Sequence, residues 1–309
     1  MISIIIPVFN EQANLAWHHE KITAHLAKLP YEFEVLYVND GSRDKSLDIL
    51  RSLAAQSSTT RYISFSRNFG KEAAMTAGLK ACRGDAAIML DADGQHPIEV
   101  LRDFISKWEA GGQVIIGVRR GNVNEGVIKR LGSRLFYRML ATMGGSGKSV
   151  AGATDFRLLD RRVIDAFNEL SERNRMTRGL IDWLGFSREY VYFLALKRHG
   201  GKASYNVGKL IGLAMHGLVS QSTRPLQVTG FLGFFVTIVS AIMATLILVE
   251  KYGFHDILHL GISGSAILAL FVSFLVGIML VCQWLLALYI ESIHTEAQNR
   301  PLYVIDETS

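Results

Sequence analysis

Short apolar runs alternate with longer segments of mixed polarity along the first two thirds of the chain. Five runs have the length and composition of buried β-strands, at positions 2–6, 33–38, 62–66, 86–90 and 114–118. Segments of helical character lie between them, for example at 13–29 and in the stretch that ends near Ala55. Strands that alternate with helices predict an α/β fold in which helices flank a mostly parallel central sheet.

The last third of the chain has a different pattern. No charged residue occurs at 225–249 or at 260–290, and each segment exceeds the roughly 20 apolar residues that cross a bilayer core. At 206–224, apolar residues recur at the spacing of an amphipathic interfacial helix, although an ordinary core-facing helix is an alternative. We predict a catalytic domain at 1–205, an interfacial helix at 206–224, a two-helix transmembrane domain at 225–291 and a C-terminal tail at 292–309.

Basic residues mark one side of the predicted membrane segments. Several precede the first segment, whereas the linker at 250–259 contains a single lysine. Because cytoplasmic loops carry the excess of Lys and Arg, we expect the catalytic domain and both termini in the cytosol, at the inner (plasma) membrane. The first strand begins directly after Met1, so no signal peptide is expected.

Composition narrows the choice of partners. The formal net charge of +5 suits an anionic partner such as a phospholipid or a nucleotide. No nucleic-acid-binding module is recognisable, so a nucleic acid is not expected as a partner. Two cysteines without metal-ligand spacing favour a reducing compartment.

The strongest local motif is Asp91-Ala92-Asp93-Gly94-Gln95, directly after the fourth apolar run. Carboxylate and amide oxygens at alternate positions after a strand suit Mg²⁺ or Mn²⁺. We predict metal ligation by Asp93, Gln95 and Asp91, and a cation that bridges the diphosphate of a leaving group. Taken alone, an Asp-X-Asp sequence is more often a surface turn.

Charged residues that follow other strands favour a site over a turn. Glu11 comes after the first run, Asp40 after the second and Arg119 after the fifth. In parallel sheets ligands bind at the carboxyl ends of the strands. We therefore expect these side chains at the same edge of the sheet as the acidic motif.

Six motifs together carry a family resemblance. They are Pro-Val-Phe-Asn-Glu at 7–11, Val-Asn-Asp-Gly-Ser at 38–42, Arg-Asn-Phe-Gly-Lys at 67–71, Asp-Ala-Asp-Gly-Gln-His-Pro at 91–97, Gly-Ala-Thr-Asp-Phe-Arg-Leu-Leu at 152–159 and Asn-Arg-Pro-Leu-Tyr at 299–303. The combination resembles the inverting family 2 glycosyltransferases with a GT-A fold. The nearest branch contains the dolichol-phosphate mannose synthases and the bactoprenol glucosyltransferases, and the resemblance covers nearly the whole chain.

The resemblance implies a role for each matching residue. The nucleoside would be held by Pro7, Phe9, Glu11 and Asp40, with Asp40 accepting a hydrogen bond from the base. The ribose and diphosphate would contact Asp91 and Ala92. The metal would be bound by Asp93 and Gln95, and the phosphates by Arg119 and Arg198.

Asp155 matches the position usually assigned as the catalytic base. A phosphomonoester, whose second pKa is about 6, is already mostly dianionic at neutral pH, so such an acceptor needs little deprotonation. Two roles therefore stay open for Asp155. It either removes a proton, or orients the acceptor and stabilises positive charge at the anomeric carbon.

The leading functional hypothesis is transfer of a hexose, glucose from UDP-glucose, to undecaprenyl phosphate or another polyprenyl phosphate. The product would serve cell-envelope glycan modification, such as that of lipopolysaccharide O-antigen. GDP-mannose and a UDP-linked modified pentose are alternative donors, and a non-catalytic membrane scaffold is the alternative from another class. The resemblance also implies a homo-oligomer, for example a tetramer, in contact with membrane lipids, and the two predicted spans imply a separate flippase.

Overall fold

The computed structural model describes residues 1–120, 150, 152–173, 175–196, 235, 238, 242 and 264–309. The described residues up to 196 form one compact unit together with residues 299–309. The described residues from 235 to 298 belong to a second unit. Every predicted site residue except Arg198 lies in the described part of the first unit, and Arg198 lies outside the described residues.

Eight strands among the described residues form one sheet. They are β1 (Ile2–Val8), β2 (Phe33–Asn39), β3 (Thr60–Phe65), β4 (Ala86–Met89), β5 (Val114–Arg119), β6 (Ala153–Asp160), β7 (Arg188–Phe193) and β8 (Ile305–Thr308). Their order across the sheet is β7-β5-β6-β4-β1-β2-β3-β8. The β4-β1-β2-β3 block is parallel and β5 pairs in parallel with β7, whereas β6 and β8 run antiparallel to their neighbours.

Helices connect the strands. In the first unit they are α1 (Leu15–Leu26), α2 (Ser46–Gln56), α3 (Lys71–Ala81), α4 (Leu101–Glu109), α5 (Arg161–Glu169) and α6 (Thr177–Trp183). A single 3₁₀ turn at Ile98–Val100 leads into α4. The described part of the second unit contains α7 (Gly264–Ala297).

Both faces of the sheet are covered by helices. Ile4 of β1 packs in one apolar cluster with Leu15 of α1 and Phe104 of α4. The next residue, Ile5, packs in a second cluster with Leu79 of α3. Successive side chains of a strand point to opposite faces, so each face has its own layer of helices. A strand buried on both faces appears in the sequence as a continuous apolar run, which is the pattern seen here.

The sheet confirms the predicted α/β fold with a mostly parallel centre, and all five predicted runs are strands. The hydrophobic pattern does not reveal the other three strands. In β6 the run is interrupted by Arg157, which is fully buried and forms an ion pair with Asp182 at 3.0 Å. Strand β8 has only four residues and lies at the edge of the sheet.

The predicted membrane segments are only partly covered by the described residues. The interfacial helix at 206–224 lies outside them, and so does the first span at 225–249 apart from three single positions. The second span, at 260–290, overlaps α7. Where the structure describes the chain, no helix is long and apolar enough to be identified as a membrane span. The two transmembrane helices therefore stay a prediction.

The residues of the predicted C-terminal tail, 292–309, are divided between the two units. Helix α7 extends to Ala297, and residues 299–309 belong to the first unit. There β8 pairs antiparallel with β3 and becomes the last strand of the sheet.

Candidate active site

The carboxyl ends of β1, β2 and β4 bring three of the predicted motifs to one edge of the sheet. Strand β6 reaches the same edge from the opposite direction, because Met89 of β4 pairs with Arg157 of β6 in an antiparallel register. Continuing that register by two residues brings Asp91 opposite Asp155. An antiparallel strand inserted beside β4 thus explains how two acids 64 positions apart in the chain meet.

Lys71 joins these two acids. Its ammonium lies 2.6 Å from Asp91 Oδ1 and 3.3 Å from Asp155 Oδ2. Burial lowers the pKa of Lys71, but the two carboxylates outweigh burial and hold that pKa above its ordinary value. Burial raises the pKa of Asp155, but Lys71, Arg178 and Arg157 outweigh it, so this pKa is below its ordinary value. Asp155 is therefore a carboxylate at neutral pH.

The position of Lys71 in its helix is unusual. It is the first residue of α3, where the helix dipole favours anions rather than cations. Its two carboxylate partners compensate for that placement. The Arg-Asn-Phe-Gly-Lys motif contributes to the family resemblance, but the sequence gives Lys71 no role, because both partners are distant in the chain.

Asp40 fixes the start of the same helix. One of its carboxylate oxygens accepts from Phe69 N at 2.7 Å, the other from Asn68 Nδ2 at 2.8 Å, and both from Gly70 N. Gly70, at φ +100, immediately precedes Lys71. Burial raises the pKa of Asp40, and the Phe69 and Gly70 amides offset part of that rise. Asp40 thus positions the loop that carries Lys71.

These contacts bear on the role predicted for Asp40 from the resemblance. The residue is only 3% exposed, and its oxygens are already accepting hydrogen bonds from the loop. A hydrogen bond from a nucleobase would have to compete with these donors. The assignment of Asp40 as the acceptor for the base therefore stays a prediction, whereas its structural role is seen directly.

The acidic motif forms a tight turn. Asp93 Oδ1 accepts from Gln95 N at 3.0 Å, and Gln95 Oε1 accepts from Arg119 Nη2 at 3.1 Å. Gly94 has φ +71, and a Cβ at this position would lie 2.6 Å from the Trp17 ring, so glycine is required. In this structure Arg119 holds Gln95, while its Nε is buried without a hydrogen-bond partner.

His96 stabilises the turn through contacts with Asp91 and Phe156. Asp91 N donates to its Nδ1 at 3.3 Å, and the ring stacks on Phe156 with centroids 4.7 Å apart. Burial lowers the pKa of His96, which keeps the ring neutral and allows Nδ1 to accept. The sequence motif includes His96 but gives no sign of this role.

The predicted metal ligands are only partly assembled. The described residues contain no group of three or more His, Cys, Asp and Glu side chains that could hold a metal ion. Asp91 is paired with Lys71, which leaves Asp93 and Gln95 as oxygen donors in the turn. This small set fits a hard cation, because Mg²⁺ is commonly bound by one or two carboxylates together with substrate phosphates.

A cleft of about 490 Å³ opens at the ends of β1, β2 and β3. Its lining residues are Phe9, Asn10, Asn39, Gly41, Ser42, Arg43, Leu47, Ser64, Phe65, Ser66, Arg67, Asn68 and Asp306. The Phe9 ring is 42% exposed, which leaves an apolar face for a planar ligand. An exposed aromatic ring beside amides, hydroxyls and two arginines suits a nucleoside.

The remaining predicted residues have less direct access to this cleft. Pro7 is part of β1 and pairs with Val38. Glu11 Oε2 accepts from Asn14 Nδ2 at 2.5 Å. The Ala92 side chain is 4% exposed and belongs to the core, so its predicted contact with a ribose or diphosphate is left to its backbone.

Comparison with known proteins agrees with this geometry. Residues 3–167 match the model of glycosyl transferase family 2. An SfII prophage-derived bactoprenol glucosyl transferase of Shigella flexneri is 34% identical, over 99% of this chain and 98% of that protein. The bactoprenol glucosyl transferase of Shigella phage SfV is also 34% identical, over 98% and 97%.

A solved structure shows the same fold. Mannosyl-3-phosphoglycerate synthase from Rubrobacter xylanophilus superposes with a TM-score of 0.52 at 18% identity, over 74% of this chain and 75% of that one. At this level of identity the likeness concerns the fold alone. The family model and the full-length relatives establish more: the chain belongs to glycosyl transferase family 2.

Proposed function

We propose that this protein transfers glucose from UDP-glucose, with inversion, to undecaprenyl phosphate or a similar polyprenyl phosphate at the cytosolic membrane face. The observation that carries the mechanism is the bridge from Lys71 to Asp91 and Asp155. The choice of acceptor and sugar is supported by the full-length similarity to bactoprenol glucosyl transferases.

The donor would lie across the carboxyl edge of the sheet. Its nucleoside would occupy the cleft beside Phe9, and its diphosphate would lie near Asp91 and Asp93. A divalent cation, Mg²⁺ or Mn²⁺, would be held by Asp93 and Gln95 and would neutralise charge on the departing diphosphate. Arg119 has a buried Nε–H without a partner and is placed to support Gln95 in that role.

Lys71 makes the acceptor's approach electrostatically feasible. Two unit charges 4 Å apart interact by about 4 kcal/mol at an effective dielectric constant of 20. A phosphate dianion next to two bare carboxylates would meet repulsion of this order from each. The ammonium between Asp91 and Asp155 offsets it, and an ammonium has three donors for use with carboxylates or phosphate.

Asp155 would orient the reactants rather than remove a proton. The phosphate acceptor is already an anion at neutral pH. Lys71, Arg178 and Arg157 keep the pKa of Asp155 low despite burial, which makes it a weak base. A fixed negative charge near the anomeric carbon would stabilise the positive charge that develops as the diphosphate leaves.

The membrane part of the proposal comes from charge-free segments and exposed side chains. The segments at 225–249 and 260–290 would form two transmembrane helices, preceded by the interfacial helix at 206–224. Along α7, Val272, Met279 and Ile290 are about half exposed or more, as expected of a surface that contacts lipid. Basic residues before the first segment support a cytosolic location for both termini, and a homo-oligomer and a separate flippase complete the proposal.

One experiment tests the reaction and its donor. Membranes containing the protein are incubated with polyprenyl phosphate, Mg²⁺ or Mn²⁺ and one labelled donor at a time: UDP-glucose, GDP-mannose or a UDP-linked pentose. We expect label in the lipid extract from UDP-glucose, and its loss in Asp93→Asn but not in the control Asp103→Asn, an exposed acid on α4. Label from GDP-mannose alone would contradict the glucose assignment, and no labelled lipid with any donor would contradict the proposed reaction.

A further inference from the structure

The C-terminal tail is firmly attached to the edge of the sheet. Glu307 accepts two hydrogen bonds from the Arg51 guanidinium, at 2.6 and 2.9 Å, and a third from Tyr62 Oη at 2.8 Å. The Tyr303 ring stacks on Phe65, with centroids 4.9 Å apart and planes 12° from parallel. Backbone hydrogen bonds at both ends of β8 also hold the tail against β3. The tail is therefore an ordered part of the first unit.

This attachment brings Asp306 into the cleft at the ends of β1 to β3. Glu307 faces Arg51 and Tyr62, and the register of β8 against β3 shifts between Glu307 and Ile305. Asp306 lies at this irregularity and lines the cleft together with Ser66 and Arg67, which follow β3. A residue of the C-terminal tail thus lines the candidate nucleoside site.

Asp306 contributes a carboxylate to the lining of the cleft. It is the one carboxylate among the described residues that line the cleft, and its side chain is exposed. Arg43 and Arg67 supply positive charge there. Asp40, the acceptor that the resemblance implies, is buried, and its two oxygens already accept from Asn68, Phe69 and Gly70.

We propose that the C-terminal strand completes the nucleoside pocket and that Asp306 is the hydrogen-bond acceptor that reads the base. The inference rests on the proposed function, since it takes the cleft to be the donor's nucleoside site. A carboxylate is an acceptor only, so it selects a base edge that presents an N–H. Uracil presents N3–H at that edge, whereas cytosine presents a bare nitrogen acceptor at the same position. Asp306 is thereby a specificity-determining residue for uridine over cytidine.

The test compares nucleotide affinities of the full-length protein in detergent. Binding of UDP and CDP is measured by calorimetry for the wild type, Asp306→Asn and Asp306→Ala, with Asp103→Asn as the matched control. Loss of a hydrogen bond to a charged acceptor typically weakens binding about 10-fold or more. We expect that loss for UDP in Asp306→Ala, a smaller loss in Asp306→Asn because its amide oxygen can still accept, a smaller change for CDP in both variants, and no change in the control. Equal UDP affinity of the wild type and Asp306→Ala would overturn the proposal.

Turnover separates this inference from the proposed reaction. Asp306→Ala should raise the KM for the nucleotide sugar about 10-fold while kcat at saturating donor and the KM for polyprenyl phosphate stay within about 2-fold. If the wild type makes lipid-linked sugar and the variant keeps the wild-type donor KM, only the role of Asp306 fails. If the wild type forms no lipid-linked sugar but UDP binding still depends on Asp306, only the proposed reaction fails.

A second variant tests whether the docking of the tail matters. Glu307→Gln leaves Asp306 in place but removes the charge that pairs with Arg51. We expect weaker UDP binding by about 3-fold with an unchanged melting temperature of the first unit, because the pair is partly exposed. UDP affinity that is lost in Asp306→Ala but fully retained in Glu307→Gln supports Asp306 as the residue that recognises the base and overturns the role of this ion pair in placing it.

Discussion

Asp40 and Asp155 are acids at the same edge of one sheet, yet their surroundings give them opposite properties. Asp40 accepts from backbone amides and an asparagine that belong to a single loop, and burial raises its pKa. Asp155 pairs with a lysine side chain, and nearby cations keep its pKa low despite burial. Backbone partners are fixed, whereas an ammonium can exchange one anion for another. The contacts of Asp40 are those of a structural residue, whereas the proposed function gives Asp155 a role in the chemistry.

The two acids are also connected. Asp40 holds Asn68 to Gly70, the next residue is Lys71, and Lys71 contacts Asp155. The motif match predicts Asp40 as a nucleoside ligand, and its observed hydrogen bonds show that it also supports the loop before Lys71. Four substitutions separate the two roles.

The largest effect is expected for Asp155→Asn. The substitution removes a fixed negative charge while it keeps the shape, so kcat should fall by about 10²-fold, in the range typical for loss of one electrostatic group. Donor binding should persist, because Asp155 lies outside the cleft. Single-turnover rates and UDP-glucose calorimetry measure the two effects. Loss of donor affinity would show that Asp155 belongs to the donor site instead.

An effect of similar size, divided between kcat and KM, is expected for Lys71→Met. Without the ammonium, Asp91 and Asp155 face each other unpaired, and an anionic acceptor meets both charges. We expect a rise in the KM for polyprenyl phosphate and a fall in kcat, together about 10²-fold in kcat/KM. Lys71→Arg should restore part of the activity because it restores the charge. Equal defects in the two variants would mean that packing, and not charge, is what matters.

Asp40→Asn should act mainly on stability. The amide group of asparagine places a donor against the Phe69 and Gly70 N–H groups, so at least one buried hydrogen bond is lost. The expected cost is about 1–3 kcal/mol in the free energy of unfolding. Denaturation in detergent measures it, with Asp103→Asn as the control. A variant that is as stable as the wild type but binds UDP poorly would show that Asp40 acts as a nucleoside ligand.

The smallest effect concerns pH. A carboxyl whose pKa is lowered by folding stabilises the protein above its unfolded pKa of about 4, and this contribution is lost as pH falls through the folded value. Asp155 belongs to this class because of Lys71. The difference in melting temperature between the wild type and Lys71→Met should therefore be greatest near neutral pH and narrow below about pH 4. A constant difference would exclude the ion pair as its source.

The sequence predicts those parts of the molecule that are set locally. Strands β1 to β5 appear as apolar runs because both faces of the sheet are buried, and the turn at Asp93 to Gln95 follows directly from its strand. Lys71 is different, since its contact with Asp155 depends on the antiparallel insertion of β6. No local pattern contains that pairing. The buried Arg157 further conceals β6, because a charged residue in a run argues against a core strand.

Asp306 is the extreme case of a contact that cannot be predicted from local sequence. Nothing near it in the chain resembles a ligand site, and β8 is short and exposed. Its place in the cleft depends on the pairing of β8 with β3 and on the ion pair between Glu307 and Arg51. Such contacts become visible only when the fold is known.

The pairing of β8 with β3 also sets the order in which the protein can be completed. Ser309 N donates to Tyr62 O, across 247 positions of the sequence. Protein synthesis proceeds from the N-terminus, so β1 to β5 can associate before β8 has been synthesised. Until then the outer edge of β3 is unpaired. The wall of the cleft that contains Asp306 is therefore added after the rest of the sheet. A chain that stops before β8 would have most of its sheet and an incomplete cleft.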